Sequence, residues 1–516
     1  MASNRRGAPL KTLDDPSAPG EGRIDVGVRI GWALRMARLT AGPQAVSQIG
    51  MVRRLEQLGL PMSSTTAHRV ETGARRVGAV VDAYEQVLEL APGTLRAPVD
   101  ILCRTFSYSP EDRDPGTEPV DLAHMESALH PLTTGKATGG EWLRWARASV
   151  AGGGLGMPRA HMEELVGRCL RELLRSWGTG YHTRYEALAL LRCGPYAEVV
   201  LAAARDLVEH PHVQQLADVA SLVGELRTPD AVAWAGQLLE DERDHVASGG
   251  VVCLENLVST SGDPGLLAAV EEPVVRAFAA AEEGTDRWRW LTHLVRLMPR
   301  AQHARVRARL DKPLAPALAP STDRRSDEHW RRCEVLARRV TDSLGVEPQP
   351  LLTRLLLELA VGPFETRAVT SGMLLRGQPA LVAPLAAVVA EMGEEHPEPL
   401  VRARALRRLV MLEGDVLPPR VAGWLAADTA ADTDTDPRRQ VAALRLAAST
   451  THEVARTVLE RALEQPGTRR AALLFAGQRG SPLLGVWGAQ HADPGVRGAC
   501  RWWQEVGSVA VADLGR

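Results

Sequence analysis

Apolar residues in this chain recur at spacings of three and four, and few stretches alternate with period two. That pattern turns one side of a helix, rather than one face of a strand, toward a core, and it directs the chain to an all-α fold. The first such segment is expected over 26–41, where Ile30, Ala33, Leu34, Ala37 and Ala41 share a side. Aromatic residues are only 4% of the chain, while alanine, leucine and arginine recur throughout, which again disfavours sheets. A length of 516 residues suits roughly two to four domains. All but three of the 61 basic residues are arginine, a bias expected of a GC-rich bacterial genome.

Breaker residues divide the first hundred positions. Residues 1–22 are rich in Pro, Gly, Ser and Asp and are expected to be disordered. A domain of five helices is expected over 23–106. Gly42-Pro43 ends the first helix. The second is expected over 49–58, with Val52, Leu55 and Leu58 facing inward, and Gly59-Leu60-Pro61 forms a turn. Ser63 or Ser64 caps the third, over 65–72, because a serine hydroxyl accepts from the free N–H groups of a first turn. It stops at Gly73. A fourth helix over 79–90 and a fifth over 95–104 follow, separated by Pro92-Gly93.

Charge is uneven. Between residues 26 and 76 stand eight arginines and two acids, Glu56 and Glu71, in a chain whose formal net charge is −2. A short basic segment in an otherwise acidic chain is the footprint expected on DNA.

The run Ser63-Ser64-Thr65-Thr66-Ala67-His68-Arg69-Val70-Glu71-Thr72-Gly73 resembles the recognition-helix segment of XRE-type, lambda-repressor-like helix-turn-helix regulators. Arg75-Arg76-Val77, Leu90-Ala91-Pro92 and Leu95 resemble the continuation in actinobacterial members, and 38–42 resembles the end of the family's first helix. The resemblance covers about eighty residues. It implies that Glu71 turns inward to pair with Arg38. It also implies a glutamine that opens the second helix and binds phosphate, a role that falls to either Gln44 or Gln48. The stretch 43–48 departs from the family's short connection. Small polar residues at a helix start enter a major groove closely. Ser64, Thr65, Thr66 and Arg69 are therefore the expected base contacts, with Arg69 suited to guanine. Arg53, Arg75 and Arg76 are expected on phosphates.

Residues 107–120 read as a linker, 121–310 and 329–516 as helical-repeat arrays, and 311–328 as a linker candidate between them. Proline-led helix starts are expected at Pro363, Pro399, Pro437, Pro466 and Pro494. The runs that begin at Pro399, Pro437 and Pro494 resemble HEAT-type repeats, which implies an α-solenoid with a long concave surface. TPR-like or irregular packing is the alternative. The tryptophan pairs at 142 and 145, 288 and 290, and 502 and 503 suit core packing better than a peptide groove.

Chemistry-bearing motifs are missing from the sequence. The six cysteines are scattered without a CxxC pair, and no GxxxxGK[ST], HExxH or GxSxG occurs. The run 432–436 lacks the glycine and distal glutamate of a calcium loop, and 152–156 follows a helix rather than a strand. No catalytic residue, metal or cofactor is expected, nor a secretory leader or membrane span. The expectation is a cytoplasmic, nucleoid-associated transcription regulator that binds double-stranded DNA as a homodimer. Its helical region would dimerise it or bind a protein or peptide partner. The alternative is an interaction scaffold whose DNA-binding domain is vestigial.

Overall fold

Every regular element among the described residues is a helix, α or 3-10, and none is a strand. The computed structural model describes residues 12–17, 23–41, 47–75, 78–109, 122–134, 137–151, 157–226, 228–261, 263–315, 323–362, 365–426 and 436–507. The loops expected at 152–156 and 432–435, and the start at Pro363, lie outside them. Among the described residues no helix is long and apolar enough to cross a membrane.

Prolines set many helix starts. Pro399–Leu409, Pro437–Ala448, Pro466–Gln478 and Pro494–Val506 each begin at the proline, whose missing N–H has no partner to lose there. The carboxylates of Asp436 and Asp493 accept from Arg438 N at 3.0 Å and Gly495 N at 2.7 Å. A further device recurs three residues ahead of two of the prolines. His396 Nδ1 and His491 Nδ1 each accept a backbone N–H at 3.1 Å, from Glu398 and Asp493. Arg402 and Arg497, three residues after those prolines, donate to the His396 and His491 carbonyls at 2.6 and 2.7 Å. The same local structure is thus built twice by His-x-acid-Pro-x-x-Arg.

The described chain forms two units. The first joins the residues up to Leu90 with the stretch Ser321–Leu412. It holds α1 (Val26–Thr40), α2 (Gln48–Gln57), α3 (Ser64–Glu71) and α4 (Gly78–Val87), together with helices Asp323–Ser343, Pro350–Ala360, Glu365–Arg376, Pro379–Glu395 and Pro399–Leu409. A charged cluster is buried within its apolar core. Arg29, on α1, is completely buried. Its guanidinium grips Glu358 at 2.7 and 2.8 Å, and its Nε donates to Asp15 at 2.8 Å. Ser371 Oγ donates to the same glutamate at 2.6 Å. Residues 12–17 are part of this arrangement, which differs from the disordered lead-in expected over 1–22. Leu13 and Asp15 are buried, Asp15 accepts from the Ser17 and Asp25 N–H groups, and Arg354 bonds Asp14 and the Ser17 carbonyl. A Pro- and Asp-rich stretch orders when its carboxylates meet buried donors.

Two further expectations shift. Leu58 is 44% exposed, and Met51 takes its inward place on α2 beside Leu55. Helix Asp323–Ser343 starts within the stretch proposed as a linker.

The second unit comprises Ala91–Ser109, Arg113–Pro320 and Glu413–Arg516. The fifth helix of the expected N-terminal domain, Arg96–Thr105, belongs here and packs on Gly178–Cys193. Arg104 pins it, donating to Glu186 and Glu225 at 2.7 Å each. Trp142, Trp145, Trp502 and Trp503 are almost wholly buried. Trp142 and Trp145 meet edge to face at 5.6 Å, and Trp142 donates to the buried Glu172 at 2.8 Å. These tryptophans are core.

Candidate nucleic-acid interface

Two short helices and a tight connection make this surface. Ser47 Oγ caps α2 by accepting from Gly50 N at 3.1 Å. At its other end, Gly59 N donates to Glu56 O and Leu60 N to Leu55 O, both at 3.0 Å. This paired closure needs a left-handed residue, and Gly59 supplies it with φ +78°. Ser63 Oγ then caps α3 by accepting from Thr66 N at 3.1 Å. The same closure ends α3, where Gly73 N reaches Val70 O, Ala74 N reaches Arg69 O, and Gly73 has φ +74°.

Gly73 answers a second demand. A Cβ there would lie 2.4 Å from Gly27 carbonyl atoms and from Val28 N. A Cβ on Gly31 would lie 2.5 Å from Gly73 N. α1 therefore crosses the end of α3 at backbone contact.

Behind α3, Arg38 and Glu71 form a two-pronged pair, Nε to Oε1 at 2.5 Å and Nη2 to Oε2 at 2.6 Å. Both side chains are nearly inaccessible, at 5% and 3%. Tyr84 on α4 donates its hydroxyl to Glu71 Oε1 at 2.9 Å. Burial lowers the Arg38 pKa, but the bond and charge of Glu71 outweigh that and hold it above its usual value. Burial, and then the Glu71 charge, push the Tyr84 phenol up. One carboxylate thus ties α1, α3 and α4 together with its charge matched.

The other side of α3 is open. Ala67, Val70 and Glu71 point in; Ser64, Thr65 and Arg69 are exposed, and Thr66 is half-buried. Thr66 is engaged: its Oγ1 lies 3.1 Å from Ser63 Oγ and accepts from Arg75 Nη1 at 3.4 Å. Arg75 is thereby drawn toward the start of α3. Arg53 is exposed on α2, and Arg76 and Gln44 lie outside the described residues. Gln48 is the first residue of α2, and its Nε2 is buried without a partner among the described residues. His68, which the sequence reading passed over, stands on the same side as Ser64, one turn on, and is half-exposed.

No family model, curated protein or solved structure matches this chain. What the surface can do rests on its own geometry. Among the described residues no group of three His, Cys, Asp or Glu side chains could hold a metal ion.

The charge count needs a correction. Of the eight arginines between residues 26 and 76, Arg29, Arg35 and Arg38 are buried. Arg29 and Arg38 are paired with carboxylates, and burial pulls the Arg35 pKa down. Arg54 is half-buried and donates to Val87 O at 3.3 Å. The exposed positive charge on α2, α3 and the turn after α3 comes from Arg53, Arg69 and Arg75, with the half-buried Arg54 beside them. A formal sum over sequence cannot separate core ion pairs from a surface field.

Proposed function

We propose that this chain is a sequence-specific DNA-binding transcription regulator of the helix-turn-helix kind, and that α3 is the element that enters the major groove. One observation carries this: α3 has a capped first turn of small hydroxyl residues on its open side, Arg69 one turn further, and its only acid turned inward onto Arg38. Such a face approaches base edges closely and repels no phosphate. Ser64 and Thr65 reach bases from the first turn, and Arg69 takes guanine O6 and N7. Arg53 and Arg75 take phosphates, with Thr66 acting chiefly as the residue that steers Arg75. Two copies would sit on half-sites about one helical turn apart. The remaining helices, proposed to be a HEAT-like array, would dimerise the protein or take a protein or peptide partner.

The test is genome-wide occupancy of the full chain beside an Arg69→Ala, Thr65→Ala variant. Discrete peaks sharing a motif, lost in the variant, are expected. No peaks from a folded, expressed wild-type protein overturns the proposal and favours a scaffold.

A further inference from the structure

A second basic segment lies far from α3 in sequence. Between residues 286 and 312 stand seven arginines and one lysine against Asp286 and Asp311. The excess of six positive charges equals that of 26–76 in about half the length. In the second unit this segment forms helices Asp286–Leu297 and Arg300–Arg309.

Arg287 is largely buried, donating to the Asp241 and Leu239 carbonyls, but the other six arginines, unlike those of α1, are exposed. Arg305 and Arg309 lie on one side of their helix and meet Glu271 and Glu272 at 2.5 and 2.7 Å. Arg289 meets Asp286 at 2.8 Å. Arg296 and Lys312 donate to backbone carbonyls, which leaves their charge uncancelled. Arg300 and Arg307 are exposed and have no hydrogen-bond or ion-pair partner among the described residues. They stand seven residues apart, about 10.5 Å along the helix. The exposed Ala301, Ala304 and Ala308 and the half-exposed His303 stand beside them, and the small alanine side chains let the helix approach an anionic surface closely.

We propose that these two helices form a second nucleic-acid face, which takes duplex phosphates without regard to sequence. An acidic protein would be the rival occupant. Protein interfaces draw most of their energy from large apolar anchors. No exposed large apolar side chain among the described residues falls within 286–312. Charge alone suffices for a phosphate backbone. Guanidinium groups, which bind phosphate oxygens in pairs, make up all but one of the cations. The face stands independently of base reading by α3.

The experiment is fluorescence anisotropy of the full chain with a random-sequence duplex of about 30 base pairs, at several salt concentrations. Arg300→Ala, Arg307→Ala should weaken binding roughly tenfold at low salt and reduce the slope of log K against log salt by about 2. Arg300→Lys, Arg307→Lys should keep the slope, and a Gln pair should repeat the loss if the Ala pair is unstable by circular dichroism. Arg69→Ala should leave this binding near wild type, which separates failure of this face from failure of α3. Wild-type affinity and slope in the neutral variants overturn the proposal, as does absence of random-duplex binding by the wild type. Binding of poly-glutamate lost in the variants while duplex binding persists also overturns it, in favour of an acidic protein.

Discussion

Arg38 and Glu71, 33 residues apart, face each other across α1 and α3 with two hydrogen bonds of 2.5 and 2.6 Å. The pair is buried, so its value lies in what happens when it is halved. Removing one partner leaves a desolvated charge, which costs about 3–5 kcal/mol, whereas removing both leaves none. Arg38→Met and Glu71→Leu should each lower unfolding free energy by about that amount, and the double variant by clearly less than their sum. Urea melts of the four proteins check this. Additive losses would show that the two residues act separately.

Arg29 and Glu358 are 329 residues apart in sequence and bonded at 2.7 Å. A fragment of 1–106 would contain Arg29 without Glu358 and Ser371, its partners from the first unit's second stretch, and Asp14 without Arg354. The cavity left by a missing wall opposes folding, and so does a guanidinium that keeps Asp15 but loses its two-pronged bond to Glu358. Such a fragment should show weak helical circular dichroism and broad amide proton resonances. A chain carrying Glu358→Gln should fold but melt several degrees lower. A sharp, dispersed spectrum from 1–106 would contradict this account.

The helices were legible from the sequence because periodicity, serine caps and proline starts are local. Ser63, Gly59, Gly73, Pro399 and Pro494 act within a few residues of themselves, and their effects can be read there. Glu358 could not be found as the partner of Arg29, because nothing in a charge pattern encodes a contact between residues 329 positions apart. For the same reason the burial of Arg29 and Arg35 within the basic segment 26–76 was hidden, and the helix 96–105 looked like part of the first domain. The tie of Arg75 to Thr66 was hidden because it depends on the χ angles of a long side chain. The basic helices at 286–309 were visible in composition but carried no motif to draw notice.

His245 offers a pH test in the second unit. Its Nε2 lies 2.9 Å from Val213 O. Burial, and then the positive charge of Arg470, push its pKa down to about 4 from the usual 6.5. Arg243 adds to that and Asp241 opposes it. The folded chain therefore holds fewer protons here than the unfolded chain between those values. Stability from this site is complete above about pH 6.5 and is lost as pH falls through about 4. His245→Gln should flatten the acid limb of a thermal-stability profile over that window. An unchanged profile would place the acid sensitivity elsewhere.

Gly73 is the most exacting position near α3. Its φ of +74° disfavours any L side chain, by roughly 1–2 kcal/mol. Its missing Cβ leaves room for the Gly27 carbonyl, which a methyl would meet at 2.4 Å, and backbone cannot step aside as a flexible side chain can. Overpacking of that kind adds about 1–3 kcal/mol. Gly59 shares the first penalty but not the second, since nothing lies within 4 Å of its Cβ position. Gly73→Ala should therefore destabilise the chain by more than Gly59→Ala, and the difference measures the contact with α1 alone. Because α3 would shift away from α1, Gly73→Ala should also weaken specific DNA binding beyond its effect on melting. Equal losses from the two substitutions would mean that α1 and α3 are not in backbone contact in solution.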